Sequence, residues 1–296
     1  LDFVEISDAD IDHTTYEAAE KMFIENNDAG AVKAFEKYLK EFPNGLHALE
    51  SHFYLAQLHF KNEDLQKSLP HYEYVVSQPR GVYSERALSR LSEIYLKNAD
   101  YAKAIPLLKR LENEAEFPQN ISFARQNLMK SYYHQGDYAQ TVVYAEKVLE
   151  ENDIEKNVKS DAHVFIARSA IQTGDEGKAQ KAYAEVQKIA TGSLGAEALY
   201  YDAYFKRKAE KLEESNKAVQ QLAKDFSSYQ EWGARGLLLM AKNFYDLGDA
   251  YQATYILETL VENFPNYPDV VSEAKTELER IKKIEAETNS SVEVDE

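Results

Sequence analysis

The sequence contains no cysteine, which excludes a disulfide framework, a zinc–thiolate site and a thiol nucleophile. Glycine and proline are scarce, with 11 and 7 residues among 296, and they lie mostly between segments of helical pattern. No stretch approaches the roughly 18 consecutive apolar residues that a membrane-spanning helix needs. We therefore expect no direct membrane insertion of this segment.

Basic residues are also in deficit, since 34 Lys and Arg stand against 51 Asp and Glu and give a net charge of −17. Such a surface disfavours nonspecific contact with nucleic acid or anionic lipid, so nucleic acid is not an expected partner. The sequence has no phosphate-binding loop, no dinucleotide-binding glycine pattern and no HExxH motif. We predict no catalytic residue and no cofactor, and we expect the protein not to be an enzyme.

The clearest positive pattern is helix, turn, helix over residues 231–265. Apolar residues recur there at steps of three and four on both sides of Gly248, which predicts two amphipathic helices. Gly248 permits a tight turn at low steric cost. Pro265 ends the second helix, because proline cannot continue one.

This pattern recurs along almost the whole chain. Large residues in the middle of the second helix are spaced by 37, 36, 37, 38, 36 and 38 residues. These anchor residues are Phe35, Tyr72, Leu108, Ala145, Tyr183, Val219 and Leu257. Small residues stand where the two helices of each pair are expected to cross. In the first helix these are Ala19, Ala56, Ser92, Ala167, Ala203 and Ala241, with Met129 as the exception. In the second helix they are Ala31, Ser68, Ala104, Thr141, Ala179, Ser215 and Ala253.

The layout resembles the tetratricopeptide repeat (TPR), in which two helices with small crossing residues and a final proline occupy about 34 residues. The resemblance implies an all-α fold: an α-solenoid, a right-handed superhelix, of about seven helix pairs and a C-terminal capping helix. The expected repeats are residues 14–44, 45–79, 84–117, 120–153, 160–191, 195–228 and 231–265, together 14–287 with the capping helix at 268–287.

Both ends of the chain are expected to differ from the repeats. Residues 1–13 are either a linker or the end of a missing upstream repeat, and Thr14 or Thr15 is expected to cap the first helix. Residues 288–296 are rich in serine and acids and are expected to be a disordered acidic tail. Because the chain begins at Leu1, we interpret it as a processed product or an excised piece, so that any targeting segment, lipid anchor or upstream repeat would lie outside this sequence.

In TPR proteins the first helix of each pair lines a concave groove. The resemblance therefore implies a protein-binding surface along these helices, rich in tyrosines and cations. Its expected residues are Tyr54, Gln57, Arg86, Arg90, Asn127, Lys130, Tyr133, Arg168, Tyr200, Tyr201, Tyr204, Lys208, Arg235, Lys242 and Tyr245. Such a face would attract an acidic or carboxylate-bearing protein segment. The alternative is that these cations pair with neighbouring acids on an ordinary helix face.

Three histidines raise the question of a metal site. His52 and His59 are seven residues apart and share a helix face, and His71 lies on the partner helix of the same repeat. Three imidazoles can hold a metal ion. The alternative, buried or half-buried rings at ordinary repeat positions, is favoured, and no metal is predicted.

Two short segments indicate which TPR proteins this chain resembles. Residues 31–43 are similar to repeats of the Tol-Pal-associated coordinator and of the outer-membrane assembly lipoprotein BamD. Residues 250–258 resemble the C-terminal repeats of long multi-TPR proteins of Bacteroidetes. The resemblance implies a non-catalytic scaffold in the assembly or organisation of a bacterial envelope complex, at the periplasm or outer membrane. The alternatives are a cytoplasmic adaptor for an acidic peptide or C-terminal tail, and a metal enzyme or hydrolase with a helical frame.

Overall fold

The computed structural model describes residues 7–152 and 154–292, with side chains described as far as residue 287. Within these ranges the chain forms helices and contains no strand. The helices are α1 (Asp8–Ile24), α2 (Asp28–Glu41), α3 (Ala48–Lys61), α4 (Leu65–Ser77), α5 (Ser84–Lys97), α6 (Tyr101–Glu114), α7 (Pro118–His134), α8 (Tyr138–Leu149), α9 (Lys156–Thr173), α10 (Glu176–Ile189), α11 (Gly192–Lys208), α12 (Leu212–Asp225), α13 (Gln230–Asp246), α14 (Ala250–Asn263) and α15 (Pro268–Val292).

The helices pack in chain order inside two compact units, residues 1–147 and 148–296. Each helix from α1 to α7 packs against the next in the first unit, and each from α9 to α15 in the second. The division falls within α8, the second helix of the fourth pair. The all-α solenoid of seven helix pairs followed by a last helix is thereby confirmed, whereas the right-handed superhelix stays a prediction.

All seven hairpins turn through one residue in the left-handed backbone conformation. Glycine adopts it in three hairpins, but Ala99 (φ 54°) and three polar residues adopt it in the others. The next backbone N–H donates to a carbonyl five residues earlier, as from Asp100 to Tyr95 at 2.9 Å, and closes the first helix. The left-handed residues are Asn26, Glu63, Ala99, Gly136, Gly174, Glu210 and Gly248.

The residue after the turn caps the second helix. In six of the seven hairpins it is Asp or Asn, and its side chain accepts a hydrogen bond from the backbone N–H three residues later. Asp175, for example, accepts from the N–H of Lys178 at 2.9 Å. Lys211 takes this position in the sixth pair and makes no side-chain cap.

The small residues at the predicted crossing positions are completely buried. All fourteen predicted crossing positions, Met129 included, have 0% exposure. In two hairpins a serine of the second helix also donates to the carbonyl of the small residue it crosses. These bonds join Ser68 to Ala56 at 2.9 Å and Ser215 to Ala203 at 2.8 Å.

The fourth pair exchanges the usual sizes. It has the large Met129 at a crossing position and the small Ala145 at the anchor position, and both are fully buried. The total side-chain volume of the two positions is thereby kept, which is the kind of change that a packed core tolerates best.

The first helix begins at Asp8, so the expectation that residues 1–13 precede the first repeat is corrected. Ser7 caps this helix, accepting from the N–H of Asp10 at 3.2 Å, while the Asp10 carboxylate accepts from the N–H of Ser7 at 3.0 Å. Asp12 then reaches into the core, where the Tyr38 hydroxyl donates to it at 2.6 Å. Thr14 and Thr15 lie inside the helix and cap nothing. Residues 1–6 lie outside the described part.

The last helix runs to Val292, five residues beyond the expected end at 287. Neither glycine nor proline occurs between Pro268 and Val292, so no breaker ends the helix at the predicted position. The start of the tail predicted to be disordered is therefore helical, and residues 293–296 lie outside the described part. Ala274 and Ile281 bury this helix against the seventh pair.

The turn geometry predicts opposite effects at equivalent positions. Ala99→Gly should stabilise the protein by about 0.5–1 kcal/mol, because glycine adopts positive φ without strain. Gly248→Ala (φ 84°) should destabilise it by about 1 kcal/mol through backbone strain alone, since no heavy atom lies within 4 Å of the added methyl group. Urea unfolding of both variants beside the parent chain measures the effects. Equal shifts in the same direction would contradict the shared geometry.

Candidate protein-binding groove

The first helices of the pairs form one wall in each unit. Besides packing on their neighbours in sequence, α5 contacts α7 in the first unit, and α11 contacts α13, which contacts α15, in the second. Side chains on the free face of these helices therefore line a shared surface. This is the wall that the TPR resemblance implies.

In the first unit this wall encloses a groove of about 1320 Å³, here called the unit-1 groove. Four of the predicted residues line it: Tyr54, Gln57, Arg86 and Arg90. They come from α3 and α5. The segments before α5 and α7 complete the groove with residues that sequence reasoning missed, chiefly Val82 and Phe117.

Aromatic rings form one side of the unit-1 groove. The Tyr54 ring lies 4.6 Å from Phe23 and 5.7 Å from Phe35 between centroids, and Phe53 lies 4.4 Å from Tyr83. Burial raises the pKa of the Tyr83 phenol, and the charge and hydroxyl of neighbouring Tyr54 raise it further. These rings are held by one another, so they present a rigid apolar surface.

The rim of the groove exposes two large apolar side chains. Val82 is 90% exposed and Phe117 is 56% exposed. Both lie between helices, where an argument from helical periodicity does not reach. Exposed apolar side chains beside a groove favour contact with another molecule.

Glu85 fixes the position of Phe117. Its carboxylate accepts hydrogen bonds from the backbone N–H groups of Glu116 and Phe117 at 3.0 and 3.2 Å, and from the side-chain amide of Asn120 at 2.6 Å. Burial alone would raise the pKa of Glu85, but these hydrogen bonds lower it below its ordinary value. The carboxylate thereby closes the N-terminus of α7 and ties it to α5.

The two arginines of the groove differ in their surroundings. Arg90 pairs with Glu93 at 2.8 Å and lies over the Phe60 ring, 4.8 Å from its centroid. Arg86 is exposed on the same helix, and no ion pair involving it is found among the described residues. Arg86 is therefore available to a carboxylate from outside the chain.

In the second unit, α11, α13 and α15 enclose a smaller pocket of about 750 Å³, here called the unit-2 pocket. Five predicted residues line it: Tyr200, Tyr204, Lys208, Arg235 and Lys242. Tyr200 lies 5.5 Å from the ring of Trp232, and burial raises its pKa to about 12. Leu238, Leu239 and Val270 add apolar lining.

The cations of the unit-2 pocket are paired with acids. Lys208 contacts Glu176 at 3.1 Å, Lys242 contacts Glu273 at 2.6 Å, and Arg235 contacts Glu231 and Asp269 at 3.2 and 2.8 Å. Most of these acids come from other helices, α10 and α15. The alternative weighed from the sequence, in which cations pair with neighbouring acids, describes these three residues, and the binding role expected of them stays a prediction.

Arg168 and Tyr201 lie outside the lining of the unit-2 pocket and form part of a buried network. Arg168 makes two contacts with Glu197, at 2.8 and 2.5 Å, and the Tyr183 hydroxyl donates to the same carboxylate at 2.8 Å. Glu197 is only 1% exposed. Tyr201 stacks on Tyr183, with centroids 4.2 Å apart. This network joins α9, α10 and α11.

The remaining predicted residues line neither cavity. Asn127, Lys130 and Tyr133 lie on α7, where the Asn127 amide donates to the carbonyl of Phe123 at 2.8 Å and Tyr133 meets the edge of Tyr138. Tyr245 on α13 is covered by the guanidinium of Arg280, 4.7 Å from the ring centroid. Of the residues predicted to form one binding surface, some line the unit-1 groove, some line the unit-2 pocket, and others make contacts within the protein.

His52, His59 and His71 come together, but not as a metal-binding set. His52 and His71 approach through their Nδ1 atoms at 2.8 Å, and the rings of His59 and His71 are 6.1 Å apart. Over the described ranges, no three side chains of His, Cys, Asp or Glu are placed to hold a metal ion. Nor does any helix in those ranges combine the length and apolar character needed to cross a bilayer.

Stacked helical hairpins with small crossing residues define the class of helical repeat proteins. Within that class, the model of one family, the tetratricopeptide repeat, matches residues 235–267, which lie in α13, α14 and the segment that follows. No curated protein matches the chain.

One solved structure shares the fold of this chain. The C-terminal part of a TPR repeat-containing protein from Cytophaga hutchinsonii has a TM-score of 0.58 and 12% identity, over 87% of this chain and 98% of that one. A tetratricopeptide repeat protein from Parabacteroides merdae has a TM-score of 0.44 and 12% identity, over 89% and 98%. The predicted repeat over residues 231–265 is confirmed by the family model, and the helical-repeat fold is confirmed by the Cytophaga hutchinsonii structure.

The network around Glu197 predicts that Arg168 acts in stability. Arg168→Ala should lower the free energy of unfolding by about 3–5 kcal/mol, because it leaves a buried carboxylate without its cation. Arg86→Ala is the control and should change stability by less than about 0.5 kcal/mol, since this side chain is exposed and outside the ion pairs. Thermal unfolding followed by circular dichroism compares the two. Similar melting of both variants would contradict the structural role of Arg168.

Proposed function

We propose that this chain is a non-catalytic TPR scaffold that binds a segment of a partner protein in the unit-1 groove. In this proposal it takes part in the assembly or organisation of a bacterial cell-envelope complex. The observation that supports the binding site is the coincidence, in one groove, of packed aromatic rings, exposed apolar side chains and the exposed Arg86, which has no ion pair within the described part of the chain.

The groove favours an extended segment with a carboxylate next to a large apolar residue. Arg86 provides the cation, while Tyr83 and Phe117 provide apolar area at fixed positions. Rigid aromatic rings beside a cation are typical of the residues that dominate binding energy in protein interfaces. The unit-2 pocket is less suited to an acidic segment, because its cations already have carboxylate partners.

The envelope location is supported by the resemblance of residues 31–43 to envelope TPR proteins. The alternative is a cytoplasmic adaptor that binds an acidic peptide or C-terminal tail, and the free Arg86 suits that partner equally well. Fractionation of the native organism with an antibody to this chain separates the two. Recovery only in the cytoplasm would overturn the envelope proposal and leave the groove proposal intact.

Charge reversal in the groove tests the binding site. Arg86→Glu together with Arg90→Glu should weaken capture of a crosslinked partner from the native organism by at least about tenfold, since loss of the charge-assisted contact of Arg86 alone costs about 1.5–3 kcal/mol and the reversed charges repel a carboxylate. The partner is then purified and titrated directly, so that binding is measured between two defined proteins. Circular dichroism verifies that the variant remains folded.

The matched control reverses the same number of charges elsewhere in the first unit. Lys33→Glu with Lys37→Glu changes the net charge equally, but on exposed positions of α2 that do not line the groove. Capture should be unchanged in this variant. Equal loss in both variants would indicate a general charge effect, and equal retention in both would overturn the groove as the binding site.

A further inference from the structure

The α3/α4 hairpin has a histidine pair where the third, sixth and seventh hairpins have apolar side chains. His52 lies four residues before the small crossing residue of α3, and His71 lies one residue before the anchor of α4. The same two positions hold Leu88 and Leu107 in the third pair, Leu199 and Ala218 in the sixth, and Leu237 and Ile256 in the seventh. Two titratable rings in contact therefore stand at positions that are apolar in these three hairpins.

The contact is a direct hydrogen bond between the two rings. The Nδ1 atoms of His52 and His71 are 2.8 Å apart, so one ring donates its proton and the other accepts through a lone pair. Tyr74 stacks on His52, with centroids 3.9 Å apart, and His59 lies parallel to His71. The rings of His52 and His71 are thus half-buried and have other rings around them.

This pair accepts one extra proton but not two. A first proton can be added to the outer nitrogen of the donor ring, and the hydrogen bond remains. A second proton removes the accepting lone pair and places two positive charges side by side, so the rings must separate. Because the two rings belong to different helices and Tyr74 stacks on His52, their repulsion acts between α3 and α4 and favours a movement of these helices apart.

The charged groups around the rings do not neutralise such a pair. Asp64 and Lys67 act on His59 with opposite sign, and Glu36 of the neighbouring α2 favours its charged form. The other helix that packs against α4 is α5. Its Tyr95 hydroxyl donates a hydrogen bond to the carboxylate of Glu73 on α4, so this carboxylate already has a partner. The electrostatic influences found on His71 come from His52 and His59, both of which oppose its protonation.

We propose that the α3/α4 hairpin is an acid-sensitive joint, which opens when mild acid protonates the His52–His71 pair. The consequence for the unit-1 groove rests on the function proposed above: α3 contributes Tyr54 and Gln57 to that groove, so opening would release a bound segment. The opening itself is a property of the hairpin and is independent of any partner.

Proton linkage gives the sign and size of the effect. Burial lowers the pKa of both His52 and His71 to about 4, whereas the opened rings have the ordinary value near 6.5. The opened state therefore binds more protons, and stability falls as pH decreases through 6.5 towards 4. Two such groups increase the opening equilibrium by about 100-fold between pH 7.5 and pH 5.5, above the range in which ordinary carboxylates titrate.

Hydrogen exchange of the whole chain measures this opening, after correction for the intrinsic pH dependence of amide exchange. The α3 and α4 amides should show about a 100-fold larger opening equilibrium at pH 5.5 than at pH 7.5. The α13/α14 hairpin of the second unit is the internal reference and should change by less than threefold. An α3/α4 change no larger than that of the reference overturns the proposal.

Two variants isolate the histidine pair. His52→Leu with His71→Leu gives this hairpin the residues of the third pair, and its opening should become independent of pH over this range. His163→Leu is the matched control: it removes a histidine at the position equivalent to His52 in the fifth pair, where Ala182 stands in place of a second ring, and it should leave α3/α4 unchanged.

If the double variant does not fold, titration of the histidine rings in the intact protein tests the proposal instead. Nuclear magnetic resonance of the ring protons should show His52 and His71 titrating well below pH 6. Ordinary titration near 6.5 at both rings would overturn the proposal. If hydrogen exchange of α3 and α4 depends on pH but partner capture persists at pH 5.5, the acid-sensitive opening is supported. Only its connection to the unit-1 groove is then contradicted.

Discussion

The close approach of two helices at paired small side chains is the constraint on which the structure depends. Ala19 and Ala31 in the first pair, like Ala241 and Ala253 in the seventh, leave no exposed surface where they meet. Such an approach fixes how each helix is rotated about its axis, because only one face has the necessary small residue. The opposite face of each first helix is then directed to the shared wall, and Tyr54 or Arg86 reaches the groove for that reason.

Buried carboxylates link neighbouring pairs within each unit. Glu197 joins α9, α10 and α11, and Glu112 of α6 joins Arg125 of α7 at 3.0 Å and Lys147 of α8 at 2.9 Å. Burial would raise the pKa of Glu112, yet the two cations keep it below its ordinary value. In a repeat array, where each pair contacts only its neighbours, such links oppose sliding of one pair over the next.

The repeat register was predictable from the sequence, because it depends on residue size at fixed spacing. The ion pairs of the cations were not predictable, because their acidic partners lie on adjacent helices and do not appear when one helical face is considered alone. Arg235 meets Asp269, 34 residues away, and Lys208 meets Glu176, 32 residues earlier. The rim residues Val82 and Phe117 were missed because they lie between helices. The start of α1 was missed because its Ser7 cap precedes a segment of weak apolar periodicity.

The only tryptophan of the chain, Trp232, lies beside Tyr200 of the unit-2 pocket. Indole emission under selective excitation of tryptophan consequently reports on the second unit alone, because residues 1–147 contain no tryptophan. A ligand that enters the pocket alters this emission without any label, whereas binding in the groove of the other unit leaves it constant. The protein thus has a built-in optical means of telling which half of the array has been occupied.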